Sequence, residues 1–486
     1  MDYLKLIDEY RAEMVESISE LVSIKSVVEE PCDDKEQGHL PFGRGVQEAL
    51  NYMLKKAEKD GFEIENVDNY GAHIEYGGYT LNEEGEIITV SDEIMGIIGH
   101  LDVVPEGSGW SYEPYGGVVA DGKIYGRGTA DDKGPVMAAY YALKALKDSG
   151  FVPAKKVRII LGLDEETNWD GMKYYLSKVK APDFGFTPDA EFPAIHGEKG
   201  ILVFRIAKKL GKPSDSKGLA LKSIKGGAAA NMVPDSARAL VSCDNRDYYE
   251  KIKEQAAKYR EEKGYKVNTK GVGKSLEITT TGKSAHGSTP ELGVNAISIL
   301  IDFLSQFTFV QDDMNDFIKF YNNHIGFETD GTSMGCGFSD EPSGKLVFNL
   351  GMCDITQEAA ELTINIRYPV TMTGDHVYEA MMPLINEYDF GIIKGKEQLP
   401  IYIPAEDPFI ECLMDIYKQH TGDEECKPLV IGGGTYARAT PGIVAFGPIF
   451  PGEPELAHQK DEYVDIDNLI KATKIFADAI YRLTVE

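Results

Sequence analysis

The sequence lacks the features of a disulfide-rich, secreted or membrane-spanning protein. Six cysteines are spread over 486 residues without a CxxC motif or paired spacing, which is typical of reduced thiols in a cytoplasmic protein. No apolar run approaches the roughly 18 residues that a membrane span requires. The N-terminal segment MDYLKLIDEYRAEM is charged and amphipathic, unlike a signal peptide. We therefore expect neither secretion nor membrane insertion. The cysteines are Cys32, Cys243, Cys336, Cys353, Cys412 and Cys426.

Basic residues are also scarce relative to acidic ones. The chain has 50 Lys and Arg against 79 Asp and Glu, a formal net charge of −29. This excess argues against nucleic acid or an anionic membrane surface as a partner. Solvation of the protein surface explains the acidity without any partner. The length predicts two or three domains, and internal repeats and low-complexity segments are absent from the sequence.

Apolar periodicity predicts an α/β protein. A strand at 62–67 follows the helix at 46–59, and strand, helix and strand alternate through residues 95–166, which favours βαβ units with a mixed or parallel sheet. Near residue 198 the pattern changes to alternating strands, so we expect a domain of residues 199–385 inserted between 1–198 and 386–486. Helical spacing predicts helices at 2–23, 46–59, 135–147, 247–263, 296–307, 375–388 and 466–485.

Two apolar runs between Met95 and Glu166 each end in polar residues that can bind a metal. The run Met95-Gly-Ile-Ile-Gly leads into His100, and Ile159-Ile-Leu-Gly-Leu leads into Asp-Glu-Glu. Buried parallel strands deliver site residues in this way at their carboxyl ends. Asp102 lies two residues after His100 and could hold the second imidazole nitrogen. A surface His-x-Asp pair without a role fits the same pattern.

Other acidic residues of this stretch add to the candidate site. Asp131 lies where a Gly-rich turn enters a helix, a place where Asp also serves as an ordinary cap. Glu165 and Glu166 could divide two roles, with one coordinating a cation and the other acting as a base, although a solvated acidic turn fits them too. The combination is more informative than any single residue.

Two further candidate ligands follow downstream. Asp189 ends a short run in TPDAEFP, and His458 lies in ELAHQKDE. With the residues above, they provide oxygen and nitrogen ligands without cysteine, enough for two divalent cations if one carboxylate bridges them. The candidate ligands are His100, Asp131, Glu166, Asp189 and His458.

These segments resemble a known family. GHLDVVPEG, YGRGTADDKGP, DEE, TPDAEFP and AHQKDE, in this order, are similar to the motifs of the two-zinc amidohydrolases and peptidases that include aminoacylase, carboxypeptidase G and carnosinase. The PepV-type bacterial dipeptidases resemble the chain most, over nearly its whole length. The resemblance implies that His100 and Asp189 hold one cation, that Glu166 and His458 hold the other, and that Asp131 bridges them.

The resemblance also implies roles for residues that do not bind metal. Glu165 would be the general base and Asp102 the partner of His100. A cis peptide bond is expected between Asp131 and Asp132. His286, in the Gly- and Ser-rich segment TTTGKSAHGSTP, would donate to the oxyanion of the tetrahedral intermediate, although isolated histidines in such loops usually have no special role.

Substrate-binding residues are expected in three places. Asn231 in AAANMVPD and Arg367 in TINIRYP match polar positions that grip substrate, while a turn-forming Asn and a surface Arg are the simpler readings. Gly433, Gly434 and Thr435 of IGGGTYAR would bind the substrate carboxylate through main-chain N–H groups. A phosphate loop is the rival interpretation, but no Lys-Ser/Thr follows the last glycine.

The predicted fold is therefore α/β: a catalytic domain with a mixed, largely parallel sheet covered by helices, plus an inserted α+β lid domain with two lobes. In the PepV type a second lid lobe takes the place of a partner subunit, which favours a monomer. The expected function is a dipeptidase dependent on two divalent cations, zinc foremost, with manganese or cobalt as alternatives. The same residues would also suit an N-acyl amino acid amidohydrolase or a carboxypeptidase. A catalytically inactive binding protein on this fold is the alternative from another class.

Overall fold

The computed structural model describes residues 2–82, 84–211 and 217–485, and the chain divides into two units. The first unit contains the described residues of Met1–His196, Tyr402–Leu429 and Gly434–Glu486. The second contains those of Gly197–Ile401 and Val430–Gly433. The sequence placed the corresponding changes after residues 198 and 385. The division of the inserted part into two lobes stays a prediction.

The first unit is built around a mixed sheet. Four adjacent strands at its centre are parallel, and the next strand on each side, Gly71–Gly77 and Ile195–Glu198, runs antiparallel to them. The predicted fold class is confirmed, with the parallel part confined to the middle of the sheet. In spatial order the strands are Ile401–Tyr402, Ile195–Glu198, Ile443–Ala445, Phe184–Thr187, Ile94–His100, Lys156–Gly162, Gly71–Gly77 and Glu63–Val67, and Leu429–Ile431 also pairs with Ile195–Glu198.

Helices cover this sheet with apolar faces. Ile94–His100 is buried along its whole length, and Lys133–Asp148 buries both Tyr140 and Tyr141. These residues belong to one core that also includes the buried face of Ile466–Thr484. The helices of the first unit are Asp2–Glu9, Arg11–Ser23, Arg44–Lys59, Lys133–Asp148, Asp170–Lys178, Pro408–Thr421 and Ile466–Thr484.

Smaller strand pairs complete the first unit. A three-stranded sheet contains Tyr463–Asp465, Lys123–Tyr125 and Val118–Ala120. The two-stranded pairs are Cys32–Asp34 with Gly38–Leu40, Tyr79–Leu81 with Ile87–Val90, and Ala190–Glu191 with Pro448–Ile449. A short 3-10 helix spans Tyr436–Ala439.

The second unit has its own sheet and its own core. The sheet is antiparallel in the pairings described, and helices pack on it through buried apolar residues. Its strands in spatial order are Lys266–Val272, Ser275–Thr281, Ser236–Cys243, Leu219–Gly226, Val347–Thr356, Ala359–Tyr368, Gly200–Lys209 and Gly391–Ile393, and Glu397–Gln398 also pairs with Gly200–Lys209. Ser339–Asp340 pairs with Gly344–Lys345. The helices are Asp247–Lys263, Ala296–Leu304, Asp312–His324 and Gly374–Glu387, with a 3-10 turn at Pro290–Leu292.

The structure corrects the sequence-based elements in a few places. The helix expected at 2–23 is two helices, Asp2–Glu9 and Arg11–Ser23, and the expected helix at 296–307 ends at Leu304. Only two helices were expected between residues 198 and 367, but Asp312–His324 is a third. Across residues 2–82, 84–211 and 217–485, each helix is too short or too polar to cross a lipid bilayer.

Candidate metal centre

Three adjacent parallel strands bring candidate ligands to one edge of the first unit's sheet. His100 is the last residue of Ile94–His100 and lies beside Gly162, the last residue of the neighbouring strand. Glu165 and Glu166 follow Gly162, and Asp189 follows the third strand, Phe184–Thr187. The carboxyl ends of parallel strands meet at the same edge, so residues distant in sequence become neighbours.

Two groups of ligand-type side chains form there, and they share Asp131. One group is His100, Asp131 and Asp189, and the other is Asp131, Glu166 and His458. Within each group the ligand atoms lie within 4.8 Å of one another. These residues are the candidate ligands expected from the sequence.

The carboxylate of Asp131 is divided between the two groups. Its Oδ1 lies 3.0 Å from Nε2 of His100, and its Oδ2 lies 3.2 Å from Nε2 of His458. Nε2 of His100 is also 3.7 Å from Asp189, and Nε2 of His458 is 2.9 Å from Glu166. One oxygen therefore faces each group, which is the arrangement that a bridging carboxylate needs.

Asp102 is a buried support for both His100 and the two glutamates. Nδ1 of His100 lies 2.9 Å from the main-chain oxygen of Asp102 and 3.4 Å from its carboxylate. The carboxylate accepts the main-chain N–H groups of Glu165 and Glu166, each at 3.1 Å. The sequence suggested a contact with His100 alone. Asp102 therefore also fixes the turn that carries both glutamates.

Asp132 gives His100 a second support. Its Oδ2 accepts the main-chain N–H of His100 at 3.1 Å, and its side chain is fully buried. A Cβ at Gly99 would lie 2.5 Å from this oxygen, so only glycine lets Asp132 approach the strand so closely. The peptide bond between Asp131 and Asp132 is cis, which confirms the expectation from the sequence.

The crowding of acids and imidazoles shifts the pKa values of the group. Burial acts to lower the pKa of His100, but its hydrogen bonds to Asp102 and Asp131 outweigh burial and raise it well above its usual value. Hydrogen bonds to Asp131 and Glu166 raise the pKa of His458 to about 10. The neighbouring carboxylates thus favour the protonated form of both imidazoles.

The carboxylates respond in opposite directions. Burial acts to raise the pKa of Asp131, yet its bonds to His100 and His458 hold that pKa below its usual range. Burial together with the charge of Asp131 raises the pKa of Asp189 to about 7. Removing carboxylates from water beside one another disfavours their charged forms, and a cation between them reverses this effect.

The main chain of Glu165 is held by Trp169, whose ring packs against Tyr436. The indole N–H of Trp169 donates to the carbonyl of Glu165 at 2.7 Å. The ring of Trp169 lies edge-on to Tyr436, with centroids 5.0 Å apart, and Tyr436 also lies edge-on to His100 at 6.1 Å. Burial raises the pKa of Glu165 well above its usual value. A raised pKa means that the carboxylate accepts a proton more readily, as a general base must.

Sequence comparison places these residues in a known family. A model of the peptidase family M20/M25/M40 matches residues 96–482, which include every candidate ligand. The chain belongs to this family. An M20/M25/M40 peptidase is a hydrolase of peptide bonds, and the two groups that share Asp131 are its candidate metal centre.

Relatives of this peptidase match it over nearly its whole length. A Staphylococcus saprophyticus protein named "Putative dipeptidase" is 38% identical over 483 residues, which is 99% of each chain. The Bacillus subtilis protein "Putative dipeptidase YtjP" is 36% identical over 475 residues, or 97% of each chain.

Solved structures show the same fold at low sequence identity. The aminoacylhistidine dipeptidase of Vibrio alginolyticus matches with a TM-score of 0.56 and 14% identity, over 96% of each chain. Human carnosine dipeptidase 1 matches with a TM-score of 0.52 and 14% identity, over 100% of this chain and 99% of the other. At this identity the likeness concerns the fold alone.

The remaining candidate residues of this peptidase are divided between the units. His286, Asn231, Arg367 and Gly433 belong to the second unit, whereas Gly434 and Thr435 belong to the first. The first unit therefore brings together the candidate ligands, Asp102 and Glu165. The substrate-binding roles of the second unit's residues stay predictions.

Within the second unit, His286 and Asn231 lie on two loops that are joined by their main chains. Gly287 donates its N–H to the carbonyl of Asn231 at 2.7 Å, and Met232 forms an isolated β-bridge with His286. Both side chains are exposed. Nδ1 of His286 lies 2.6 Å from the hydroxyl of Ser288.

Arg367 and the glycine loop are also in contact within the second unit. Arg367 is buried, and it donates to the side chain of Asn365 at 3.1 Å and to the carbonyl of Gly432 at 2.9 Å. It is therefore not the exposed strand-end arginine of the simpler reading. In the first unit, the Thr435 hydroxyl accepts the N–H of Ala437 at 3.1 Å and begins the short helix there.

Several polar residues around the ligands were missed by sequence reasoning. They are Asp132, Trp169, Tyr436 and Glu462, and each touches the main chain or the ring of a candidate site residue. Asp132 and Glu462 stood inside the quoted motifs, but nothing local to the sequence marked them as buried. Tyr436 packs on Gly162, where a Cβ would lie 2.3 Å from its ring.

Proposed function

We propose that this M20/M25/M40 peptidase is a metal-dependent dipeptidase with two divalent cations. His100, Asp131 and Asp189 would hold one cation, and Asp131, Glu166 and His458 would hold the other. The observation that carries the proposal is the division of the Asp131 carboxylate, with one oxygen towards each group. The full-length relatives named as dipeptidases support the substrate class.

The donor set fits such cations. Within the described residues each group combines carboxylate oxygens with one imidazole nitrogen, which suits zinc foremost and also manganese or cobalt. Four carboxyl groups, those of Asp131, Glu165, Glu166 and Asp189, surround the two imidazoles. Bound cations would compensate the negative charge that burial concentrates there.

The chain's own residues supply the proton transfers. Bound cations would provide Lewis-acid polarisation of the scissile carbonyl and make water more acidic. Glu165 would take a proton from the attacking water and pass it to the leaving amine. Asp102 keeps Glu165 in place through its main-chain N–H. For the second unit we keep the roles implied by family resemblance: His286 as an oxyanion donor, and Asn231 and Arg367 as substrate-binding groups.

Gly433, Gly434 and Thr435 would bind the substrate carboxylate through main-chain N–H groups.

We further propose that the protein is a cytoplasmic monomer that acts on small peptides and not on nucleic acid or membranes. The free cysteines support a cytoplasmic location, and the net charge of −29 argues against nucleic acid and anionic membranes as partners. The resemblance to the PepV type supports the monomer. Sedimentation analysis of the full chain tests the monomer, and a dimer at micromolar concentration would contradict it.

Metal dependence and substrate class can be tested together. Purified protein treated with chelator should lose hydrolysis of Ala-Leu and regain it with zinc, manganese or cobalt, with two equivalents bound. β-Ala-His and N-acetyl-Leu are the comparison substrates. Faster cleavage of N-acetyl-Leu than of either dipeptide would instead favour an N-acyl amino acid amidohydrolase. A metal-loaded protein inert towards all three would contradict the dipeptidase proposal.

A further inference from the structure

Glu462 lies against the loop that carries Asp131, although no role proposed above involves it. Its side chain is fully buried. One carboxylate oxygen, Oε1, accepts the main-chain N–H groups of Gly128 at 3.0 Å, Ala130 at 2.9 Å and Asp131 at 3.3 Å. A single acceptor thus fixes three peptide groups of the loop that presents the shared ligand.

The other carboxylate oxygen connects this loop to the segment of His458. Oε2 accepts a hydrogen bond from Nη1 of Arg127, which is itself buried. The same nitrogen lies 3.3 Å from the carbonyl of Gln459, the residue after His458. The main-chain oxygen of Glu462 accepts the N–H of Gly126 at 2.9 Å. Glu462 and Arg127 therefore join the segments that carry Asp131 and His458.

Further contacts hold Arg127 and the segment of Glu462 in the fold. The guanidinium of Arg127 lies over the ring of Trp110, 5.3 Å from its centroid. Asp461, beside Glu462, accepts the hydroxyl of Ser111 at 3.0 Å. Tyr463–Asp465 then pairs with Lys123–Tyr125, the strand that precedes the Asp131 loop. Glu462 thus lies directly before a strand that is paired with the strand preceding the Asp131 loop.

The partners of this carboxylate, within the described part of the chain, are all hydrogen-bond donors. A carboxylate can accept from all of them at once, whereas a carboxamide of the same shape has one acceptor oxygen and two donors of its own. Glu462→Gln therefore places an N–H₂ group against either Arg127 or the Asp131 loop. The change alters hydrogen bonding with little change in volume.

We propose that Glu462 is a positioning residue for the metal centre. It acts on Asp131 directly and on His458 through Arg127. This inference rests on the proposed two-cation site. In it, Glu462 keeps Asp131 and His458, which are distant in sequence, in one fixed arrangement. Residues that orient metal ligands typically affect metal affinity or activity by about 10–100-fold when they are changed.

The two residues of the pair should differ in their effects. Because Asp131 is shared by both groups, Glu462→Gln should weaken both equivalents of metal. Arg127→Lys keeps the charge but shortens the reach to Gln459, so it should weaken the equivalent that depends on His458 and spare the other. If Glu462→Gln does not fold, Arg127→Lys still tests the proposal.

A matched control exists in the same unit. Glu75 is buried and accepts from Nε of Arg158 at 2.6 Å, in the central sheet and without a contact to any candidate ligand among the described interactions. Glu75→Gln removes a comparable buried charge. It should lower the stability of the metal-free protein and leave metal affinity and kcat unchanged.

The experiment measures zinc binding to each purified full-length variant by competition with a chromophoric chelator, then kcat and KM for Ala-Leu at saturating zinc. We expect about 10–100-fold weaker binding for Glu462→Gln and a lower kcat with little change in KM. Wild-type zinc affinity in both pair variants, or an equal loss in Glu75→Gln, would overturn the positioning role. Failure of the wild-type protein to bind zinc, manganese and cobalt would instead overturn the proposed function.

Discussion

Replacing Asp102 offers a sharp test of how the metal centre is supported. The side chain is fully buried, and its two oxygens accept the main-chain N–H groups of Glu165 and Glu166. Asp102→Ala leaves both N–H groups without that acceptor. At about 1–3 kcal/mol for each buried donor, the loss of unfolding free energy should be roughly 2–6 kcal/mol. Asp102→Asn keeps one acceptor oxygen and should cost about half as much.

The same variants should also bind metal less tightly. The Asp102 carboxylate lies 3.4 Å from Nδ1 of His100, so its loss removes one of the two oxygens beside the imidazole, and the support of the glutamate turn with it. We expect about 10–100-fold weaker zinc binding for Asp102→Ala. The assays are urea unfolding of the metal-free protein and chelator competition for zinc.

Asp465 provides the control for Asp102. Its carboxylate also accepts two main-chain N–H groups, those of Asp467 and Asn468, at the start of the last helix. Asp465→Ala should lower stability by about 0.5–2 kcal/mol as a lost helix cap and leave zinc affinity unchanged. Unfolding free energy and zinc affinity of Asp102→Ala equal to wild type would refute the reasoning.

Three further predictions concern protons. Glu165→Gln should retain two equivalents of zinc yet lose several orders of magnitude in kcat, and a nearly active variant would exclude Glu165 as the base. Because Asp131 and Glu166 raise the pKa of His458 to about 10, zinc must displace its proton; affinity should rise from about pH 6 to 8, and calorimetric heats independent of the buffer would contradict this. Burial lowers the pKa of His73 to about 4, so metal-free stability should fall by roughly 3 kcal/mol as pH drops from about 6.5 towards 4, and His73→Gln should flatten that fall in urea unfolding.

The part of the fold that depends on local pattern was predictable from the sequence. The helix Asp247–Lys263 has the predicted bounds, and Lys133–Asp148 differs from its predicted bounds by two residues at its start and one at its end. The missed helix Asp312–His324 buries Met314, Phe317, Ile318 and Tyr321, which recur at helical spacing. This helical spacing is present in the sequence, within a region whose overall pattern predicted alternating strands.

The candidate ligands could be predicted for two different reasons. His100, Glu166 and Asp189 follow apolar strands closely, so the strand pattern itself points to a shared sheet edge. His458 lies in a loop, at a positive φ of 64°. Its residue type made it a candidate ligand, but no strand pattern marked it, and only the family resemblance assigned it to the second cation. Asp132 and Glu462 could not be found, because the burial of an acidic side chain and its main-chain partners depend on tertiary packing.

The order of the segments constrains how this protein can fold during synthesis. The first unit consists of stretches that are interrupted by the second unit, and its core includes buried residues of both Lys133–Asp148 and Ile466–Thr484. The N-terminal part therefore leaves the ribosome with an apolar surface that stays uncovered until residues near Thr484 emerge. The second unit has a nearly continuous chain and can complete its core earlier. Chains halted before His458 would contain most of the catalytic residues but remain prone to aggregation. The metal centre and the core of the first unit are therefore both completed only when translation reaches the last helix.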